Sequence, residues 1–354
     1  MREELWKHFS PASWQRFVDE QRTAQRKLAG EGRSLHEALV YQILRRSSDL
    51  GAGVVPSLRR RVKNGARRLG HKLSRRVVVG TVPTGEVNAH AFKVGKGWVA
   101  VVDHGSLLFI WLMAKLVSSQ IEVSDERRRP PVKLPPAPQE LAIERILDLV
   151  FYYVAFGDPW FAPPYWPERN HEFMLGTLAA NAETFLLAHE VAHILLGHLD
   201  AHETESARRA DEKQQELDAD WLATKIVVSI RELMGVDFTL RYTGLELFFW
   251  CLEIIEGASG EGSSDSHPSA TERLMAVRAN VTNHFPAGAS AVAFAENMRQ
   301  RVMEIWTQAR LRLESRKEPY QEWMISWAKR AAAESPCQDC KVLAREMLSG
   351  SSKN

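Results

Sequence analysis

An H-E-x-x-H pentad inside an apolar helix constrains this chain more than any other feature. The stretch Phe185-Leu-Leu-Ala-His-Glu-Val-Ala-His-Ile-Leu-Leu-Gly-His198 lies within a segment, 173–199, that reads as helical. On a helix, four residues advance the chain by about 400° and 6 Å, so His189 and His193 share one face. Two neutral imidazoles at that separation can bind one Zn²⁺, and Glu190 beside the first can hold a water on the metal. The pentapeptide alone is a weak match. It gains meaning only if the rest of the chain supplies a third ligand and a place for substrate.

A hydrolytic zinc site needs three protein ligands and one open position. The segment Glu216-Leu-Asp-Ala-Asp220 opens the next long helical stretch, 23 residues beyond His193. Two antiparallel helices joined by a polar turn at 200–211 would bring Glu216 level with the histidine face. Asp220 follows one turn later, where it can accept the free N–H of a ligand imidazole and fix its tautomer. The alternative for both acids is a helix N-terminus that favours negative charge. With His189, His193 and Glu216 as ligands, Glu190 is the candidate general base for a metal-activated water attacking a carbonyl. His198 points off the ligand face by helical geometry and reads as structural.

At 354 residues the chain can bury a full core, as one large domain or two smaller ones. A net charge of +2 argues neither for nor against a polyanionic partner, so only local clustering can. Three cysteines, Cys251, Cys337 and Cys340, cannot build a disulfide framework. Cys251 reads as a core residue, and Cys337-Gln-Asp-Cys340 lacks the second pair that a four-cysteine zinc knuckle requires. The polar start of the chain lacks a signal-peptide core. The longest uncharged apolar runs, 105–114 and 149–157, are too short for a membrane span. The expectation is a cytoplasmic protein without a membrane span.

Residues 1–50 show amphipathic helical spacing. From 59 to 76, nine of eighteen residues are Lys or Arg and none is acidic. That run is either a nucleic-acid or anionic-membrane patch, or a solvated helix face backed by Leu58, Val62, Ala66, Leu69 and Leu73. β-Branched and apolar runs at 77–79, 87–94 and 98–102 then predict a strand followed by a hairpin, with a buried helix at 106–118. The stretch 124–138, with Arg127, Arg128, Arg129 and five prolines, reads as a loop or insertion. An aromatic-proline segment at 158–170 reads as a cover over the core or a lid. Helical signals then recur at 212–234, 242–256, 268–282, 289–315, 319–334 and 337–349, interrupted by the Gly/Ser-rich 257–264.

Two further stretches carry a family resemblance. Asn88-Ala-His-Ala-Phe92, followed by Gly97-Trp-Val-Ala-Val-Val-Asp-His-Gly-Ser-Leu-Leu108, resembles the strand and helix start that border the active site in M48 metallopeptidases. Ser266-His-Pro-Ser-Ala-Thr-Glu-Arg-Leu274 resembles that family's His-Pro…Arg element. The zinc motif with Glu216, Ala219 and Asp220 resembles its H-E-x-x-H…E-x-x-A-D pattern. Together these blocks run from Asn88 to Leu274. The resemblance implies a zinc-dependent endopeptidase of the gluzincin type, with one zinc per chain, ligands His189, His193 and Glu216, and Glu190 as base. It also implies a role near the metal for His267 and an anchoring role for Arg273. Two departures stand out: His90 replaces the family's usual Phe, and the transmembrane helices of many M48 proteins are missing.

The expected fold is therefore α+β and predominantly helical: a zincin-like metallopeptidase core with a small sheet or hairpin and added N- and C-terminal helices. The expected divisions are 1–76, a core at 77–284 with an insertion at about 122–170, and 285–354. The substrate is a protein or peptide, docked by pairing with an exposed edge strand. Trp98, Val99, Ala100 and Val101 are the expected docking positions. Alternatives are a peptidase-fold binding protein contacting nucleic acid through 59–76, or a host-protein protease similar in style to the phage-exclusion peptidases.

Overall fold

The computed structural model describes residues 54–82, 84–125, 132–134, 137–159, 162, 171–199, 205–230, 237–259 and 268–315, with Lys329. Helix α1 (Val54–Arg68) shows how the basic run folds. Val55, Leu58, Val62, Gly65 and Ala66 recur at helical spacing and are buried, while Arg59, Arg60, Lys63 and Arg67 remain on the solvent side. Leu69 and Leu73 pack against the same core just beyond the helix.

Three strands follow: β1 (Val77–Val82), β2 (Ala89–Val94) and β3 (Gly97–Asp103). They form a sheet of order β1-β3-β2, in which β3 runs parallel to β1 and antiparallel to β2. The hairpin is tight, Val94 pairing directly with Gly97, and Gly95 turns the chain with φ 55°. Residues 98–102 are thus not an edge, and this corrects the expectation for Trp98, Val99, Ala100 and Val101. Both sides of β3 are occupied by neighbouring strands, so its backbone has no hydrogen-bonding groups left for a peptide. Among the described residues the free edge on the hairpin side belongs to β2.

Helix α2 (His104–Ser119) leaves β3 directly and is largely buried, as its apolar run predicts. The stretch expected as a plain loop then contains two short antiparallel strands, β4 (Val123–Asp125) and β5 (Val132–Leu134). Helix α3 (Gln139–Phe156) ends at Gly157, whose φ of 71° permits the left-handed cap. Five more helices complete the described chain: α4 (Glu172–Leu196), α5 (Glu205–Val228), α6 (Phe238–Ser259), α7 (Ala270–His284) and α8 (Gly288–Ser315). Among the described residues there are eight helices and a small three-stranded sheet, an α+β and predominantly helical architecture. No described helix is long and apolar enough to cross a membrane.

Helix α4 is the axis of this arrangement. It packs against α1, α2, α5 and α6 and also touches β2 and β3. Leu178, Phe185, Leu187, Ala188, Val191 and Ala192 lie in one continuous core that also takes in Leu58 and Val62 of α1 and Val302 and Trp306 of α8. The approach of α6 is unusually close. A Cβ on Gly244 would stand 2.9 Å from the Leu178 carbonyl oxygen and 2.8 Å from Asn181 Cβ, so glycine is required there.

Several sequence-derived expectations fall outside the described residues: the helices of 1–50, His267, the Gly/Ser positions 260–264, most of the aromatic-proline segment, and Cys337 with Cys340.

Candidate active site

Helix α4 carries His189 and His193 on one face, as the four-residue spacing dictates. Phe185, one turn before His189, packs between Phe248 and Phe249 of α6 and so fixes the apolar floor beneath the imidazoles. Antiparallel α5 brings Glu216 opposite this face. His189 Nε2 and His193 Nε2 lie 3.1 Å apart, and the Glu216 carboxylate stands 3.4 Å from each. All three sequence-predicted ligands thus meet at one point.

The groups behind these donors are equally specific. His189 Nδ1 lies 2.9 Å from Asp220 Oδ1, so its N–H donates to the carboxylate and leaves Nε2 as a lone pair facing Glu216. Asp220 is gripped from its other side by Arg273, whose Nε and Nη2 donate to Oδ2 and Oδ1 at 2.8 and 2.7 Å. Arg273 Nη1 also reaches Glu216 at 3.4 Å. This guanidinium is placed by the start of α7. Ser269 and Glu272 form a reciprocal capping box there, and the Ala270 N–H donates to Glu256 of α6 at 2.9 Å.

His198 plays a part that helical projection misses. The helix ends at Leu196, Gly197 adopts φ 78°, and the turn carries the His198 ring back to His193. The two Nδ1 atoms are 3.0 Å apart, so one imidazole donates to the other. Gly197 was the available signal, because a left-handed C-cap reverses the chain within two residues.

Electrostatics favour a cation among these donors. Burial by itself would lower the His189 pKa, but Asp220, assisted by Glu216, pushes it up to about 9 against the opposing charge of Arg273. Burial would likewise raise Glu216, yet hydrogen bonds from His189 and His193, and then Arg273, hold it well below the usual carboxylate range. Asp220, also buried, is kept low chiefly by Arg273 and then by His189. Glu190 is pushed upward by burial, with the two histidines opposing.

The donor set fits a metal on its own terms. Metal–ligand bonds of about 2.0–2.1 Å in a tetrahedral site imply ligand–ligand edges of about 3.3 Å, and the observed edges are 3.1, 3.4 and 3.4 Å. With the His189 Nδ1 proton directed at Asp220, its Nε2 lone pair faces the Glu216 carboxylate and His193 Nε2, an arrangement that a proton or a cation relieves. His189, His193 and Glu216 are therefore the residues that could hold the ion.

Beside the donors opens a cleft of about 520 Å³. Its walls are Asn88 with Ala89, His90 and Ala91 at the start of β2, Glu190 of α4, Phe248 and Leu252 of α6, and Arg273. Two donors hold the strand wall in place: the Asn88 carbonyl accepts from Ser106 Oγ at 2.7 Å and from the Asp103 N–H at 3.0 Å.

The sequence profile of the family described as peptidase U49 matches residues 101–295, more than half of the chain. The chain belongs to the peptidase U49 family. The matched region spans β3 to the start of α8 and contains every residue of the donor set and its supports. The expectation of a peptidase is met, and the family shown is U49 rather than M48. The Asn88–Phe92 strand, on which part of the M48 resemblance rests, precedes the matched region. No curated protein and no solved structure matches the chain.

Proposed function

We propose that this U49 peptidase is a zinc-dependent endopeptidase in which Glu190 is the general base and His189, His193 and Glu216 hold the metal. The observation that carries the reading is the triangle of Nε2, Nε2 and carboxylate oxygens with edges of 3.1–3.4 Å, opening onto a cleft that also holds Glu190. When bound, zinc supplies a Lewis acid that acidifies a water and polarises a substrate carbonyl.

The chain's own residues do the rest. The β2 edge offers unpaired backbone groups to an extended peptide, which orders the substrate along Asn88–Ala91 without regard to most of its side chains. Glu190, in the wall beside the donors, takes a proton from the attacking water and returns it to the leaving amine. Its burial favours that cycle, because a carboxylate with a raised pKa releases its proton less readily to solvent. Asp220 holds His189 with Nε2 free, and His198 meets His193 on the ring nitrogen turned away from the donor set. Arg273 neutralises Asp220, so that the carboxylate orients the imidazole without over-stabilising its protonated form.

Glu190→Gln tests the reading. The variant should retain about one zinc per chain by metal analysis while producing none of the new N-termini that the wild-type protein generates across a proteome. A purified wild-type chain that carries no zinc and cleaves equally well with chelator would refute it.

A further inference from the structure

His90 lines the strand wall of the cleft, and behind it lie two carboxylates, Asp103 and Glu86, for which peptide hydrolysis has no use. Asp103 ends β3 directly before α2, where an aspartate ordinarily caps the helix, yet it makes no side-chain cap hydrogen bond. It is only 3% exposed, and its Oδ2 has no hydrogen-bond partner. That oxygen stands 3.7 Å from His90 Nε2, close enough for attraction but too far for a hydrogen bond. His90 lines the cleft with its side chain 51% exposed. Exposed Glu86 lies within electrostatic reach of Asp103, as does Glu190.

The sheet register says what this cluster would meet. His90 pairs with Val101, and Asp103 is two residues on, so both side chains leave the same face of the sheet. A peptide strand added along β2 continues that face, and its residue across from His90 sets its side chain beside the ring. With an imidazole N–H turned toward Asp103, the ring's other nitrogen presents a lone pair. Around His90 the strand side of the cleft then offers an acceptor backed by the negative charges of Asp103 and Glu86, while Arg273 lies on the opposite side with Asp220 and Glu216. Lysine and arginine side chains carry donors and no acceptors. An apolar side chain would add nothing to the Thr84 and His90 contacts that offset the buried Asp103 charge, and an acidic one would be repelled.

We propose that Glu86, His90 and Asp103 form a subsite that selects a lysine or arginine side chain of the substrate close to the scissile bond. The proposal rests on the peptidase reading of the same cleft and adds the substrate class. It also gives a reason for His90 at a position where the M48 motif has Phe.

The test uses the full chain as the Glu190→Gln variant, loaded with zinc, and labelled peptides that differ at a single position (Lys, Arg, Leu, Phe or Glu). Lys and Arg peptides should bind about tenfold or more tightly than the others, because side chains without donors leave the acceptors of the subsite unpaired. Adding His90→Phe or Asp103→Asn should shrink that preference to about threefold or less, and Glu86→Gln, at an exposed position that spares the fold, should lower it about two- to fivefold. A chain that binds zinc and peptides but prefers apolar or acidic residues overturns the subsite and leaves the peptidase reading standing. So does a Lys/Arg preference that His90→Phe and Glu86→Gln both leave intact. A chain that binds neither zinc nor peptide overturns both.

Discussion

Replacing Asp220 with asparagine removes one charge from the centre of the donor set and keeps its volume. The wild-type carboxylate accepts two hydrogen bonds from Arg273, at 2.8 and 2.7 Å, and faces His189 Nδ1 at 2.9 Å. An asparagine amide can keep one of these contacts but cannot neutralise the buried guanidinium. Arg273 is then left with Glu216, already 3.4 Å away, and should draw that carboxylate off the metal. Two losses follow. Breaking one partner out of a buried ion pair costs about 3–5 kcal/mol, and because Glu216 partly replaces Asp220 we expect about 2–4 kcal/mol of folding stability to be lost. Losing the support behind a ligand histidine lowers metal affinity about 10- to 100-fold.

The pH dependence adds a sign. The Asp220 pKa is lower in the folded protein than in the unfolded chain, so its stabilisation is fully present above the unfolded value. It is lost as pH falls through the folded value. Asp220→Asn should therefore be less stable than wild type at neutral pH, with the gap narrowing in acid. Urea unfolding of the metal-free proteins across pH, with competition against a chelator for zinc affinity, measures both effects. Zinc affinity within twofold of wild type, or a stability gap independent of pH, would refute the role given to Asp220.

Two further predictions concern neighbours of this centre. Glu183, on α4 near Arg61, is pushed up by burial to about 7 from its ordinary 4.5, so the folded protein binds its proton more tightly than the unfolded chain does. Stability should fall as pH rises between those values, and Glu183→Gln should restore about 1–3 kcal/mol at pH 8 and little at pH 4, as read by chemical denaturation. His198→Phe removes the ring nitrogen that meets His193; zinc affinity should drop about tenfold with little change in the unfolding midpoint, and an unchanged affinity would make His198 irrelevant to the metal.

What the sequence disclosed and what it hid follow one physical division. His189, Glu190, His193, Glu216 and Asp220 were legible because helical periodicity fixes angles over a turn or two, and a short helix-turn-helix fixes which faces meet. Strand order is a long-range property, and there the reading of 98–102 as an edge failed. A sign was available: β3 is apolar at nearly every position and so covered on both faces, whereas β2 has no fully buried position and exposes His90 and Lys93, one on each face. The two-stranded β4–β5 ribbon was masked by flanking prolines, which argue against strands except at edges. His198 was missed because projection along an ideal helix was carried past Gly197, where the helix has already stopped. Arg273 was named only through a motif resemblance; its bidentate grip on Asp220 depends on how α7 is anchored to α6, which no local pattern contains.

The placement of the metal donors on α4 has a consequence for how such a protein can diversify. A helix in contact with four other helices and with the sheet cannot change its residues without disturbing the whole interior, so the chemistry is bound to the fold's own integrity. The β2 wall is under no such restriction: among the described residues no strand pairs with its outer edge, and Glu86, Asn88 and His90 are exposed. If substrate lies along that strand as proposed, mutation can explore new substrates there while the donor set stays as it is. Within this architecture, preference can drift where reactivity cannot.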